Sequence, residues 1–386
     1  MNLKEHFGGK VLLMGLMNLL VAFTSITVIT SIVGFNLPLA FLFAGIGTIV
    51  FHIVTKNKLP VTLGVSGVYV GSILYVSSTF GIAYAHGGII VAGFIYILFA
   101  MIMFKWQEKV LKLFPMWLLS TVVLLIGLSL LPIGVGLVQS NVLVGVSALI
   151  VTALVDLLGG KKLGMFAMPL GVLAGTIVAL LTTGLAIPTA VIGIEYVSPM
   201  FNWQSALAVG LIAIPVMFEM MGDTKNTGDI IGKDVFKEVG VGRISLGNGL
   251  ASILGGLGGS NAYTTYSENT AFVMLSKYYN STAQIWTGVF LIVLAFFTPL
   301  FSIVSAIPVE AFGGTVTYLF SLIAVNAIKQ ISESVKLGED NKVFAIMTTM
   351  IAVSMLTITI AGISISSVAI ATIIGVLLNI LFNRDK

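Results

Sequence analysis

The sequence predicts an all-α polytopic membrane protein with about fourteen transmembrane spans in two inverted repeats of seven. Composition, the spacing of apolar segments and the distribution of basic residues together lead to this prediction. Of the 386 residues, 58% are hydrophobic and only 9% are charged, whereas a soluble domain carries about 25% charged residues. A soluble fold could not bury this much apolar surface, so we expect the chain to lie in a bilayer.

Apolar segments of about 17–25 residues, the length that crosses a bilayer as a helix, recur along the chain. In the first half they are 11–33, 37–55, 61–80, 85–104, 114–138, 142–159 and 164–184. In the second half they are 206–225, 245–259, 261–276, 282–306, 311–329, 341–359 and 364–383. The ninth and tenth are short and rich in glycine or polar residues, so we do not expect them to cross as ordinary helices.

The lysines and arginines all fall on one side of these predicted spans. Lys4 and Lys10 precede the first span, further basic residues follow the even-numbered spans, and Arg384 and Lys386 end the chain. Basic connections mark the cytoplasmic side, so we predict a multi-pass protein of the cell membrane with both termini in the cytoplasm. The net charge of +4 then reflects the membrane topology. The sequence shows no basic face with interleaved aromatic residues, so we do not predict nucleic-acid binding.

Weak internal similarity relates the two halves of the chain at a separation of 193–195 residues. The matching pairs are Leu63–Tyr69 with Leu257–Tyr263, Gly93 with Gly288, and Pro115 with Pro308. An odd number of spans per half inverts the second half relative to the first, as in many secondary transporters. In such proteins paired interrupted spans mark a binding site near the middle of the membrane, so we expect short strands in the third and tenth spans.

Three carboxylates lie well inside predicted spans, where such groups are costly and usually functional. Glu219 and Asp223 are four residues apart and share one helix face, and Glu268 lies in the tenth span. A carboxyl group that is exposed first to one side of the membrane and then to the other can take up a proton on one side and release it on the other. All three carboxylates are therefore candidates for proton coupling. The structural alternatives are that Asp223 pairs with Lys225 or caps a helix, and that Glu219 and Glu268 form a buried pair that joins spans.

Several other kinds of chemistry are not indicated by the residues. The chain has no cysteine, and its three histidines are dispersed, so we predict neither a metal site nor a catalytic arrangement, and therefore no enzyme. The sequence contains no phosphate-binding loop, so we do not predict ATP-driven pumping. A channel would require a continuous polar pore, whereas the polar residues cluster near the middle of the membrane. No cofactor is expected.

Four segments carry a resemblance to a known family, and together they extend over nearly the whole chain. They are "KLPVTLGVSGVYVGS", "LFPMWLLSTVVLLIGLSLLPIGV", "FEMMGDTKNTGDIIGKDVF" and "NGLASILGGLGGSNAYTTYSENTA". In these segments the chain resembles the nucleobase/cation symporters of the nucleobase–ascorbate transporter family, and looks most like its bacterial uracil permeases. The resemblance implies a core domain of residues 1–110 (spans 1–4) and 201–308 (spans 8–11). It implies a gate domain of residues 111–200 (spans 5–7) and 309–386 (spans 12–14).

The resemblance also implies a substrate site between these two domains. Its substrate-binding residues are Glu219, Glu268, Ser267, Gly67, Tyr266 and Ser25. Glu219 matches the glutamate that binds the base, and Glu268 matches the one linked to substrate and proton. Backbone amides at Gly67 and Ser267 would meet the carbonyl groups of the base, and the ring of Tyr266 or Tyr69 could cover its flat face.

The implied function is secondary active import of uracil or a closely related nucleobase by proton symport, with alternating access between core and gate domains. A purine permease of the xanthine type and sodium coupling are the alternatives, and an anion transporter or channel fits less well. Family members often form dimers through the gate domain, so a homodimer is an expectation.

The chain departs from the family pattern at several positions near the expected site. Asn18 and Asp223 stand where other members carry histidine, and Ser267 replaces a glycine. Phe320 stands where the uracil permeases carry tyrosine. The Asp223 replacement changes the charge beside Glu219, which leaves both the identity of the base and the coupling stoichiometry open.

Overall fold

The computed structural model describes residues 8–184, 193–335, 340–356, 358–360 and 363–382. The helices of the first half are α1 (Gly9–Val33), α2 (Leu37–Val54), α3 (Val70–Thr79), α4 (Ile82–Leu111), α5 (Met116–Gln139), α6 (Val142–Leu158), α7 (Gly160–Leu163) and α8 (Ala167–Thr182). Those of the second half are α9 (Trp203–Gly210), α10 (Ala213–Ile231), α11 (Val235–Glu238), α12 (Val241–Leu257), α13 (Ser267–Ser276), α14 (Thr282–Ala295), α15 (Thr298–Ser305), α16 (Val309–Ser334), α17 (Asn341–Ser354) and α18 (Ser367–Phe382). The strands are β1 (Gly64–Val65), β2 (Tyr263–Thr264), β3 (Ile358–Ile360) and β4 (Ile363–Ile365).

Within these described residues, six helical segments are long and apolar enough to cross a membrane. They are α1, α2, α4, α5, the combined α9–α10 segment and α16. The bent pair α14–α15 makes a seventh if it counts as one span, and α6, α8, α17 and α18 are shorter apolar helices. The fold is therefore mostly helical and of a membrane type, but several predicted spans are short or broken rather than continuous helices.

The predicted eleventh span, 282–306, is broken rather than continuous. Helices α14 and α15 meet at an angle of 83°. Pro299 lies in the first turn of α15, where its missing N–H group costs nothing, whereas inside a helix proline removes a hydrogen bond and clashes with the preceding turn. The prediction of a span over 282–306 did not take this proline into account.

The predicted thirteenth span, 341–359, is helical only as far as Ser354. Strands β3 and β4 follow and pair in an antiparallel ladder, with Thr359 opposite Ser364. This hairpin was not predicted. Branching at the β-carbon of Ile358, Thr359 and Ile360 lowers helix propensity and favours strands, which explains why the helix does not continue.

Two of the three sequence matches between the halves fall at equivalent structural positions. Pro115 and Pro308 directly precede the long helices α5 and α16 as their N-cap residues. Gly93 brings α4 against α12, since an added Cβ atom would lie 2.7 Å from the carbonyl oxygen of Gly249. Gly288 brings α14 against α2 in the same way, with the carbonyl oxygen of Gly45 at 3.0 Å.

The third match is out of register in the structure. Leu63–Tyr69 contains β1 and the following 3-10 turn, whereas Leu257–Tyr263 runs from the last residue of α12 to the first residue of β2. The equivalent segments are β1 with β2, and α3 with α13. Each half thus contains a short strand followed by a ten-residue helix. The glycine, serine and tyrosine residues that the two segments share therefore reflect a similar composition and do not occupy equivalent positions in the two halves.

Candidate binding site

Strands β1 and β2, which lie in the predicted third and tenth spans, pair with each other in antiparallel fashion. Gly64 lies opposite Thr264 and Val65 opposite Tyr263. A 3-10 turn that leads into α3 begins at Gly67, and α13 begins at Ser267. The first amides of a helical segment have no acceptor within it, and they form the positive end of its dipole. The pairing therefore brings two such amide groups near one point, where they can bind carbonyl or anionic oxygens.

A cavity lies at this point, and its two walls differ in chemistry. Among the described residues, the polar side chains of the cavity all lie on the wall from α1, β1, β2, α10 and α13, namely Ser25, Ser66, Thr264, Tyr266, Glu219 and Glu268. The opposite wall, from α5, α8 and α16, is apolar and consists of Ile126, Leu130, Met168, Leu319, Phe320 and Ile323. The volume of this cavity is about 40 Å³. The site is therefore narrow, with hydrogen-bonding groups on one side and a hydrophobic surface on the other.

Two glycines shape the polar wall. A Cβ atom on Gly64 would lie 2.8 Å from ring carbons of Tyr266, so the absence of a side chain lets this ring pack directly on β1. A Cβ atom on Gly67 would lie 3.5 Å from both Ile29 and Phe320, which is ordinary contact distance. Gly67 therefore keeps a gap of about one methyl group between the polar and apolar walls.

Glu219 and Glu268 lie where this cavity meets a larger, more open one. Both residues also line a vestibule of about 500 Å³ that extends along α10 and α16 to Lys329 and Glu333. The Oε2 atom of Glu219 is buried, and no other described residue gives it a hydrogen-bond partner. The two carboxyl groups can thus face a molecule in the cavity and exchange protons with water in the vestibule.

Asp223 lies one helical turn from Glu219 and lines the vestibule rather than the narrow cavity. It is buried, with 6% of its surface exposed. Lys225, its expected partner, forms an ion pair with Asp229 one turn further along α10. Asp223 is therefore placed to affect the electrostatics of the path to the cavity rather than to contact a molecule inside it.

The structure brings five of the six predicted substrate-binding residues to one cavity, namely Ser25, Gly67, Glu219, Tyr266 and Glu268. The sixth, Ser267, begins α13 beside them, and its side chain lies outside the described part. Tyr69 is buried and does not line the cavity, so of the two rings expected there only Tyr266 is present. Sequence reasoning singled out Phe320 of the apolar wall, but it missed Ser66, Thr264 and the other apolar residues, since isolated small or aliphatic residues carry no signal before the strands are paired.

A buried cluster of amide and hydroxyl groups holds the polar wall together from behind. The Nδ2 atom of Asn18 donates to Thr62 Oγ1 at 2.8 Å and to Gln284 Oε1, and it lies 3.2 Å from Asn269 Oδ1. The Asn269 side chain in turn accepts a hydrogen bond from the backbone N–H of Thr62 at 3.2 Å. These bonds join α1, the segment before β1, α13 and α14. The sequence showed Asn18 only as a departure from the family pattern.

Comparisons with known proteins agree with the resemblance carried by the motifs. A model described as "Permease family" matches residues 9–364. A "Probable uracil permease" of Haemophilus influenzae is 28% identical over 390 residues, which cover 96% of this chain and 94% of that protein. The "Uracil permease" of Escherichia coli K12 is 26% identical and covers 96% of this chain and 90% of its own length.

Solved structures share the fold at low sequence identity. The transmembrane domain of a cyanobacterial bicarbonate transporter, BicA, superposes with a TM-score of 0.63 at 14% identity, covering 97% of this chain and 98% of that domain. The anion transporter SLC26A9 gives a TM-score of 0.68 at 11% identity, covering 96% of this chain and 64% of that one. Since the permease-family model extends over most of the sequence, this chain is a multi-pass membrane protein that belongs to that permease family, the nucleobase–ascorbate transporter family that its motifs resemble.

Proposed function

We propose that this protein imports uracil or a closely related nucleobase by proton symport. The observation that carries this proposal is the convergence of five candidate residues, four of them from the quoted motifs, on one narrow cavity with a polar and an apolar wall. The names of the curated relatives supply the substrate class.

The chemistry of the two walls suits a flat, polar ring. Uracil has two carbonyl acceptors and two N–H donors. The amides that begin the helical segments at Gly67 and Ser267 can donate to its carbonyls, and the carboxylate of Glu219 can accept from an N–H group. The ring of Phe320 can cover one face, because aromatic rings favour offset stacking. A site built from hydrogen bonds rejects analogues that leave buried groups unpaired.

Transport then follows from the separation of the two walls. The polar wall belongs to segments of the expected core domain, and the apolar wall to helices of the expected gate domain. A substrate that is hydrogen-bonded only to the core can move with it along an apolar gate without breaking specific bonds to the gate. Protonation of Glu268, with Glu219 or Asp223 as further candidates, would accompany loading, and the vestibule that reaches Lys329 would be the cytoplasmic exit.

The test is uptake of labelled uracil into proteoliposomes with and without an imposed inward proton gradient, with unlabelled xanthine, adenine and thymine as competitors. We expect gradient-driven uptake that unlabelled uracil blocks and xanthine does not. Full competition by xanthine would indicate a purine site instead. Uptake that requires a sodium gradient and ignores the proton gradient would contradict proton coupling.

A further inference from the structure

A second cavity, separate from the candidate binding site, lies at one end of the molecule between the end of α4 and the start of α12. It measures about 460 Å³. Its lining residues are Met103, Phe104, Lys105, Trp106, Gln107, Glu108, Lys109, Val239, Gly240, Gly242 and Arg243. We call it the basic cleft. At the same end, the Nζ atom of Lys58 donates to the carbonyl oxygen of Glu238, so the cleft lies on the side that the basic residues predict to be cytoplasmic.

The backbone around the basic cleft is fixed by specific contacts. The side chain of Gln107 donates to the carbonyl oxygen of Phe236 at 2.7 Å and accepts from the N–H group of Val241 at 2.7 Å. The glycine at 242 allows close packing, since a Cβ atom there would lie 2.8 Å from the Phe104 ring. Trp106 departs from helical geometry, with φ −131° and ψ 24°, which kinks α4 beside the cleft. The cleft is therefore a preformed feature, not a gap between loose loops.

The charge of the basic cleft is positive and is not neutralised by carboxylates in contact. Its lining contains three cations, Lys105, Lys109 and Arg243, and one acid, Glu108, which leaves a formal charge of +2. Within the part of the chain that the structure describes, none of the three cations forms an ion pair with a carboxylate. Lys105 lies 4.8 Å from the centre of the Trp106 ring. Three cations around one concave surface favour binding of an anion.

The surroundings of the basic cleft indicate which anion it would take. Trp106 is 45% exposed, and tryptophan is enriched where membrane and water meet. Along the same helix, Phe94, Leu98 and Met101 have more than half of their surfaces exposed, which provides an apolar track leading away from the cations. A phosphate headgroup in the cleft with acyl chains along this track would satisfy both features, and basic pockets between helices on the cytoplasmic side bind anionic headgroups.

We propose that the basic cleft binds the phosphate group of an anionic phospholipid. The experiment measures the melting temperature of the purified full-length protein with added phosphatidylglycerol, phosphatidylcholine or inorganic phosphate. We expect phosphatidylglycerol to raise the melting temperature by several degrees more than phosphatidylcholine does. In a Lys105→Gln/Arg243→Gln variant this difference should fall to less than half.

The matched control is a Lys225→Gln/Lys237→Gln variant, which removes two positive charges that already have carboxylate partners. It should keep the full preference for phosphatidylglycerol. Equal stabilisation by both lipids, or an undiminished preference in the cleft variant, would overturn the proposal. An effect of inorganic phosphate as large as that of phosphatidylglycerol would identify a soluble phosphate as the ligand and overturn the lipid assignment.

A direct binding measurement covers the case in which the double variant does not fold. Brominated phosphatidylglycerol quenches tryptophan fluorescence on contact, and Trp106 lies in the cleft. We expect stronger quenching of the wild type by brominated phosphatidylglycerol than by brominated phosphatidylcholine, and loss of the difference in a Trp106→Phe variant. Equal quenching by the two lipids in the wild type would contradict a headgroup site.

Discussion

A Cβ atom on Gly67 would lie 3.5 Å from Cε1 of Phe320. The backbone of the 3-10 turn before α3 and an aromatic ring of α16 are thus separated by a gap that one methyl group would fill. These two residues belong to the polar and the apolar wall of the candidate site. We infer that a substrate bound between the two walls lies against this gap.

The first prediction concerns the width of that gap. Gly67 does not have a positive φ angle, so Gly67→Ala introduces no backbone strain and its methyl group meets only ordinary contacts. We expect the variant to fold and melt as the wild type does, but to lose at least about tenfold in uracil uptake. The methyl group would occupy space that the substrate requires. The measurement is uptake into proteoliposomes together with the melting temperature.

Gly71→Ala serves as the matched control for this change. It lies one turn further along the same segment, and its Cβ atom would meet only Ile133, at 3.6 Å. It does not line the cavity, so uptake should be unchanged. Wild-type uptake by Gly67→Ala would show that the substrate does not pass between Gly67 and Phe320.

The second prediction separates substrate binding from proton coupling at the two carboxylates. Glu219→Gln replaces a charged acceptor with a neutral amide, and hydrogen bonds to charged groups contribute about 1.5–3 kcal/mol. We therefore expect uracil to bind about tenfold to a hundredfold more weakly. Glu268→Gln should still exchange labelled for unlabelled uracil across the membrane, but it should not accumulate uracil against a gradient, because it cannot release a proton.

Asp229→Asn is the control for these two variants. Asp229 also lines the vestibule, but it is exposed and paired with Lys225, so binding and accumulation should both be retained. If Glu268→Gln accumulated uracil as the wild type does, the proposed coupling role of Glu268 would be wrong. Unchanged affinity in Glu219→Gln would remove that carboxylate from the binding site.

The sequence predicted the membrane character of the fold, and its candidate residues include four of the six polar side chains that line the cavity. Long apolar runs indicate spans directly. Carboxylates such as Glu219 and Glu268 are costly inside a membrane segment and therefore indicate a functional site. Contacts between distant segments carry no such local signal. The register of the repeat around Leu63 was wrong because short strands of a few residues are set by pairing, here Gly64 with Thr264, and not by composition.

The apolar wall of the site shows the same limit. Apart from Phe320, which the family pattern singled out, the residues of this wall, such as Leu319, are ordinary helix residues by sequence. Only the packing of α5 and α16 places them opposite β1 and β2. The break in the predicted eleventh span could have been anticipated from Pro299. The β3–β4 hairpin could have been anticipated from its run of β-branched residues, but the apolar character of that run outweighed this signal.

The third prediction tests the glycine contact between α4 and α12. In Gly93→Ala the new methyl group would lie 2.7 Å from the backbone carbonyl oxygen of Gly249, and a backbone atom cannot rotate away. Overpacking of this kind costs about 1–3 kcal/mol, so the melting temperature should fall. Gly136→Ala, on α5 with nothing within 4 Å of its Cβ position, should leave it unchanged. Equal melting temperatures for the two variants would mean that the two helices are not in close contact.

The last prediction concerns the polar cluster behind the site. Asn18 is fully buried, and Asn18→Leu would remove the amide that joins α1 to Thr62 and Gln284. These two partners keep the hydrogen bond between them, Thr62 Oγ1 to Gln284 Oε1 at 2.7 Å. The free energy of unfolding should therefore fall moderately, by about 1–2 kcal/mol, which is in the upper range for hydrogen bonds between membrane helices.

The control for this last change removes a hydrogen bond that stays within one helix. In Thr176→Val the lost bond runs from Thr176 Oγ1 to the carbonyl oxygen of Val172 at 2.7 Å, so the melting temperature should hardly change. Asn18→Leu should lower it by a few degrees and also reduce uptake per folded molecule, because Asn269, which the cluster holds, directly follows Glu268 in α13. Asn18→Leu with wild-type stability and uptake would show that the cluster does not position this carboxylate.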